Sequence, residues 1–466
     1  MNAFAIATRN VRKSIRDYGI YFLTIIIGVA LFYIFNSIGS QKEMMELNST
    51  ASRYLIDIGE LMSGLSVIVS AILAFLILYA NAFLVRRRKK ELGIYMCLGM
   101  RKGKISRILF FETALVGCLS LIVGITLGVL VSQALTYVTA SMLGATITKF
   151  SFVFSMSAAV SCMVYFGITF IIVLLFNTVI VNRQKLLGLL YADRKVPKFR
   201  KPNIMLSVLL FVCSVVILGI AYNLMLTNGL MGFFDSAQSR SQVVSIIMGC
   251  VGTFLFFFSL SGFFLKVVSS IKKHYHKGLN MFTLRQIDSK IHTTTFSMTF
   301  ICLMLFLAIS AISVGSSLSA AFAEYGSATA NESAAAGSAA TTYMSLYLGV
   351  VFLISCASVL AVTQLSEASD NQARYLLLSK LGASEKLIAQ SIFRQVLIYF
   401  VAPLVLAISH SIVAIKVMSV LAAALADLNI LSMSLVTGLI LIVVYGGYFG
   451  LTYRGARKMA AARMNG

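Results

Sequence analysis

The chain has no tryptophan, three prolines and four histidines, and its 16 acidic residues are outnumbered by 39 basic ones. Only 12% of its 466 residues are charged, while 59% are hydrophobic and the mean hydropathy is +0.90. A soluble domain carries about a quarter charged residues, so this shortage excludes an ordinary soluble domain and predicts a polytopic membrane protein. Without tryptophan, tyrosine and phenylalanine must form any interfacial belt. The formal charge of +23 suggests nucleic acid only until its placement is considered. The basic residues sit in short segments between apolar runs long enough to cross a bilayer, so no nucleic-acid partner is expected.

Reactive constellations are missing too. Cys97, Cys118, Cys162, Cys213, Cys250, Cys302 and Cys356 have neither metal-site nor disulfide-framework spacing, and read as small apolar residues. His274 and His276 are too few for a metal centre. No HExxH or GxSxG motif occurs. Gly99-Met-Arg-Lys-Gly103-Lys104-Ile105 superficially resembles a P-loop. It is one residue short between the glycines, and Ile105 stands where Ser or Thr would hold Mg²⁺. Asp57, Glu60 and Glu112 fall near the ends of apolar runs, where water is close. Only His410 lies deep, and a neutral histidine bonded to a neighbouring helix accounts for it. Ion-coupled transport needs a chain of such groups near the midplane, and none is present. No catalytic residue, metal or cofactor is therefore assigned to this chain.

What the chain does contain is ten apolar runs near the ~20 residues that span a bilayer. They are Tyr18–Ile38, Leu61–Val85, Ile108–Tyr137, Phe152–Val181, Met205–Leu226, Val243–Val268, Phe296–Leu318, Tyr343–Leu365, Val396–Leu421 and Leu431–Tyr453. Met1 to Arg16 has the basic flank of a signal peptide, but the following run can span and lacks a small-x-small cleavage site, so it is expected to stay as the first helix. Lysine and arginine crowd into alternate connections and leave only Lys42, Arg53, Lys149, Arg240 and Lys416 on the other side. The positive-inside rule then puts both termini in the cytoplasm. Residues 182–203, with Pro197 and Pro202 among basic residues, read as a linker. The small, nearly uncharged loop 319–342 reads as a strap or a helical extension.

One stretch stands out, Asn81 to Arg107. It begins as the basic end of a span and continues as a short amphipathic helix on which Leu92, Tyr95, Met96 and Cys97 present apolar surface. Gly99 can then supply the left-handed turn that ends it. Such a helix suits a groove on another protein, or the membrane surface. A weaker copy follows at Arg374–Lys386. Leu98-Gly99 aligns with Leu381-Gly382, Ile105 with Ile388 and Phe110 with Phe393. Thr8–Ile15 resembles Leu284–Ile291 ahead of the corresponding first helices. The expected plan is an all-α membrane protein of two 1+3-helix halves, 1–181 and 274–466, with a helix pair at 204–273 between them.

Arg87-Arg-Lys-Lys-Glu-Leu-Gly93 followed by Leu98-Gly-Met100 resembles the cytoplasmic signature of the FtsX-like permeases of ABC transporters. The ten-helix layout and the opening Asn10-Val-Arg-Lys-Ser-Ile-Arg-Asp17-Tyr18 are similar to the bacitracin-export, BceB-like branch. This resemblance implies a permease without its own ATPase, served by two copies of a separate subunit that binds ATP and Mg²⁺. It also implies mechanical transmission across the bacterial plasma membrane, acting on amphiphilic antimicrobial peptides or lipid-linked substrates, with contact to membrane lipid and often to a sensor histidine kinase. The coupling residues it points to are Glu91, Leu92, Tyr95, Leu98, Gly99 and Lys102 in the first elbow, and Leu381, Gly382 and Glu385 in the second. The large extracellular domain typical of the branch has only 319–342 in its place. A non-transporting regulator that recruits an ATPase and signals to a kinase or cell-wall enzyme is the alternative.

Overall fold

The computed structural model describes residues 3–13, 15–37, 40, 66–67, 69–82, 84–85, 88–142, 153–183, 204–228, 236–270, 278–329, 332–423 and 430–461. Among them the regular structure is helical throughout. The helices are α1 (Ala3–Lys13), α2 (Ile15–Asn36), α3 (Val69–Ala82), α4 (Lys89–Cys97), α5 (Lys102–Met142) and α6 (Met156–Arg183). After them come α7 (Ile204–Asn228), α8 (Ser236–Ser270), α9 (Asn280–Thr329), α10 (Glu332–Asp370), α11 (Gln372–Lys380), α12 (Glu385–Ala423) and α13 (Ile430–Ala461).

Eight of the described helices are long and apolar enough to cross a membrane. The other two expected spans fall on α2 and α3, in which the apolar stretches Ile25–Ile34 and Val69–Ala82 are described. The loop expected at 319–342 is helical wherever it is described, because α9 runs to Thr329 and α10 starts at Glu332. Asp57, Glu60, His274, His276 and nearly all of the 182–203 linker lie outside the described residues.

The chain divides into two compact units, one comprising Met1–Val196 with Ala335–Tyr343, the other Pro197–Ala334 with Met344–Gly466. In the first, α2 and α5 meet through a Gly124-xxx-Gly128 pair. Between membrane helices small residues allow the close approach that dispersion forces need. A Cβ on Gly124 would stand 2.6 Å from Val29, and one on Gly128 2.9 Å from Tyr33. Polar groups buried among these spans pair with one another. Asn81 donates to Asn177 at 2.6 Å, Asn177 donates to Thr113 at 3.2 Å, and the Tyr33 hydroxyl accepts the Ser155 N–H at 2.9 Å.

The second unit repeats this logic with other residues. Gly349 of α10 lies where a Cβ would be 2.2 Å from Ile312 of α9, and Gly252 of α8 where one would be 2.8 Å from Leu218 of α7. His410 is buried and bonded to neighbouring helices, at 2.5 Å to the Tyr222 hydroxyl of α7 and 3.0 Å to the Thr253 hydroxyl of α8.

Candidate functional site

Each unit turns a sharp corner at the stretch singled out by the sequence, and both corners are built alike. α4 and α11 have nine residues each. Arg88 and Asn371 occupy the positions just before them, with N–H groups donating back to Leu84 and Glu367 at 3.2 and 3.0 Å. At the far end, Gly99 has φ 82° and Gly382 φ 89°, a left-handed conformation that glycine adopts without the Cβ penalty. The Gly99 N–H bonds to Met96 O at 3.1 Å and the Met100 N–H to Tyr95 O at 3.1 Å. The corresponding pairs, Gly382 to Ser379 and Ala383 to Leu378, are both 3.0 Å. This is the Schellman closure, which satisfies carbonyls that a helix end leaves open. The next helix then starts at Lys102 or Glu385, where the Glu385 carboxylate suits the positive end of the α12 dipole.

The side chains divide each corner into an inner and an outer face. Leu92 is only 4% exposed and joins Val85, Ile105 and Leu109, with Tyr95, Met96 and Met100 packed against that cluster. Of the four residues expected to offer apolar surface, Leu92 is covered by the returning α5, Tyr95 and Met96 are half-buried against the same cluster, and Cys97 is exposed as expected. The face left open carries Ile94 and Leu98, 51% and 73% exposed. Leu377 and Leu381 hold the same two places in the second corner, at 61% and 83%. Ile105 and Ile388 are both buried, and Phe110 and Phe393 are both exposed, so the two corners match in burial position by position.

Sequence reasoning missed the groups that hold the first corner in place. Arg88, within the basic end of the span, is buried, and so is Glu112. The Arg88 guanidinium bonds both oxygens of Glu112 and both of Glu91, the latter at 2.7 and 2.9 Å. Tyr95 donates to Glu91 at 2.8 Å, and Asn10 of α1 donates to Glu112 at 2.7 Å and to the Tyr95 oxygen at 3.2 Å. Burial, and then the hydrogen bond to Glu91, push the Tyr95 phenol above its ordinary pKa. The signal in the sequence was Glu112 itself, a carboxylate inside an apolar run that required a cation.

In the second corner the same positions carry different chemistry. Counting from Gly99 and Gly382, Arg88 falls on Asn371, Leu92 on Tyr375 and Glu112 on Gln395. Tyr375 is fully buried and donates to Gln395 at 3.3 Å, and Gln395 donates to Glu367 of α10 at 2.8 Å. Burial pushes the Tyr375 phenol up to about 12. One corner is clasped by ions and the other chiefly by amides and a phenol.

Comparison with known proteins matches this part of the chain. Residues 63–183, which contain the first corner, match the family described as FtsX-like permease C-terminal. The bacitracin export permease protein BceB of Bacillus subtilis strain 168 is 25% identical over 316 residues, 67% of this chain and 48% of that protein. BceB of Halalkalibacterium halodurans is 24% identical over 66% of this chain and 46% of its own length. The uncharacterized ABC transporter permease YvcS of B. subtilis is 24% identical over 60% of this chain and 42% of its own. The chain thus spans about half the length of the curated relatives it matches. It carries an FtsX-like permease domain and is a homologue of the BceB bacitracin export permeases, a multi-pass protein of the bacterial plasma membrane.

Proposed function

We propose that the chain is the permease subunit of an ATP-driven ABC complex, worked by a separate ATPase that docks on the two corners. The observation that carries this reading is the repeated outer face: Ile94 with Leu98, and Leu377 with Leu381, each pair four residues apart, the first on a nine-residue helix and the second capping it ahead of the same glycine turn. A short helix with an exposed aliphatic pair fits a groove on a partner, and burying each such side chain contributes about 1.5–3 kcal/mol. Two like faces call for two copies of one partner. In this reading ten helices cross the membrane with both termini cytoplasmic. Closure of the ATPase dimer on ATP and Mg²⁺ swings the corners about Gly99 and Gly382, and α3 and α10 carry the motion outward. An amphiphilic antimicrobial peptide or a lipid-linked substrate is displaced or exported.

The test is reconstitution with a candidate ABC ATPase from the same organism. Leu98→Asp with Leu381→Asp should abolish co-purification and the permease-dependent part of ATP hydrolysis, while the permease itself stays folded. Undiminished ATPase binding by the double variant would remove the corners from the docking site. A membrane-surface role for the same leucines predicts that second outcome.

A further inference from the structure

The second unit holds a cavity of about 130 Å³ bounded by α7, α8, α9 and α12, whose wall includes Tyr222, Ser245, Gly249, Phe306, His410 and Ala414. All six lie inside membrane-spanning stretches of these helices. Helices of this length and apolarity place the cavity at the depth of the bilayer.

Two independent features show that the space is built. The first is Gly249. A Cβ there would meet nothing within 4 Å, whereas one on Gly252, in the same helix, would press against Leu218 at 2.8 Å. Gly252 serves close helix packing, and Gly249 leaves room. The second is the bonding of His410. The Thr253 hydroxyl donates to Gly249 O at 2.7 Å, so its oxygen accepts from the His410 Nε2–H at 3.0 Å. His410 Nδ1 is then the acceptor, and Tyr222 donates to it at 2.5 Å. The ring is held as one neutral tautomer whose only N–H is used inside the protein. It offers no donor and no charge to the cavity, which excludes a phosphate or carboxylate ligand, and the largely apolar wall gives water too few of the two to four partners it needs.

We propose that this cavity is a binding site for the end of a hydrocarbon chain of a membrane amphiphile, received laterally from the bilayer. Its volume is close to the ~150 Å³ of an apolar cavity that takes up benzene, so it admits a short length of chain and not a whole lipid. His410, costly at this depth, closes the polar surface of three helices and leaves an apolar wall facing the ligand. The inference is independent of the coupling role of the corners.

The chain has no tryptophan, which makes the test direct. Phe306→Trp places a sole reporter at the cavity wall, and Leu209→Trp places one on the lipid-exposed face of α7. Each variant is reconstituted in phosphatidylcholine vesicles with or without bromine on the acyl chains. Bromolipid should quench both reporters. Adding Gly249→Leu, which fills the open space, should cut quenching of the Phe306→Trp reporter about threefold or more and leave the Leu209→Trp reporter unchanged. Quenching at Phe306→Trp that is absent overturns the proposal, as does quenching by aqueous acrylamide in place of bromolipid. Quenching that Gly249→Leu does not alter also overturns it, since that would be surface lipid only.

Discussion

The buried guanidinium of Arg88 bonds both carboxylate oxygens of Glu112 across the Gly99 turn, and the residues in the same two places of the second half are Asn371 and Gln395. The first pair ties the start of α4 to α5 through ions. The second position uses an amide that links Tyr375 to Glu367. Charge-assisted hydrogen bonds are roughly twice as strong as neutral ones, and Arg88 makes four of them where Gln395 makes one to Glu367, so the first corner is the more strongly clasped of the two. Identical ATPase copies would meet like outer faces set on unlike supports.

The cost of breaking the ionic clasp depends on which partner is left behind. Glu112→Gln leaves the buried Arg88 guanidinium with Glu91 as its remaining carboxylate partner and should destabilise the detergent-solubilised protein by about 1–3 kcal/mol. Arg88→Asn with Glu112→Gln copies the second corner and should recover about half or more of that loss. A double-mutant cycle on thermal unfolding measures the coupling. A single variant no less stable than the double would show that the pair contributes nothing as a pair.

Gly99 and Gly382 should respond alike to substitution. A Cβ at either meets nothing within 4 Å, so the penalty is backbone strain alone. Alanine at either should cost about 1–2 kcal/mol. Gly103 also has open space around it but lies in the first turn of α5 with helical geometry, and Gly103→Ala should stabilise by about 0.5 kcal/mol. Opposite signs at Gly99 and Gly103 in one melting series support the turn assignment, and equal signs refute it.

The glycines between spans behave differently. Gly124→Val would drive a side chain into Val29 and the backbone carbonyl of Ile26, and Gly349→Val into Ile312 and the carbonyl of Ala308. Each should lower stability by about 1–3 kcal/mol or more, because the helices must separate to accept it. Gly167→Val, in α6 with nothing within 4 Å, is the matched control and should leave the melting temperature nearly unchanged.

How much of this was legible beforehand depends on range. Apolar run length located the long helices, and a glycine after a short amphipathic segment located both turns, because these are local signals. The inner and outer faces of α4 were not local. Leu92 and Tyr95 look as available as Ile94 and Leu98 in the sequence, and only the return of α5 decides which pair is covered. Arg88 was hidden for the same reason, as one of five consecutive basic residues whose distinguishing feature is a carboxylate on the next helix. At 319–342 the low apolar content suggested a strap or extension, and the described residues extend α9 and α10, where alanine favours helix.

The central claim is that both corners are seats for one ATPase, and photo-crosslinking in cells tests it most directly. A photoreactive amino acid is placed at Leu98, at Leu381 and, as a control, at the buried Leu92, with a candidate ABC ATPase from the same organism co-expressed and tagged. Crosslinks from positions 98 and 381 to that one ATPase, with none from 92, are the predicted result. No ATPase adduct from either exposed position would contradict the account.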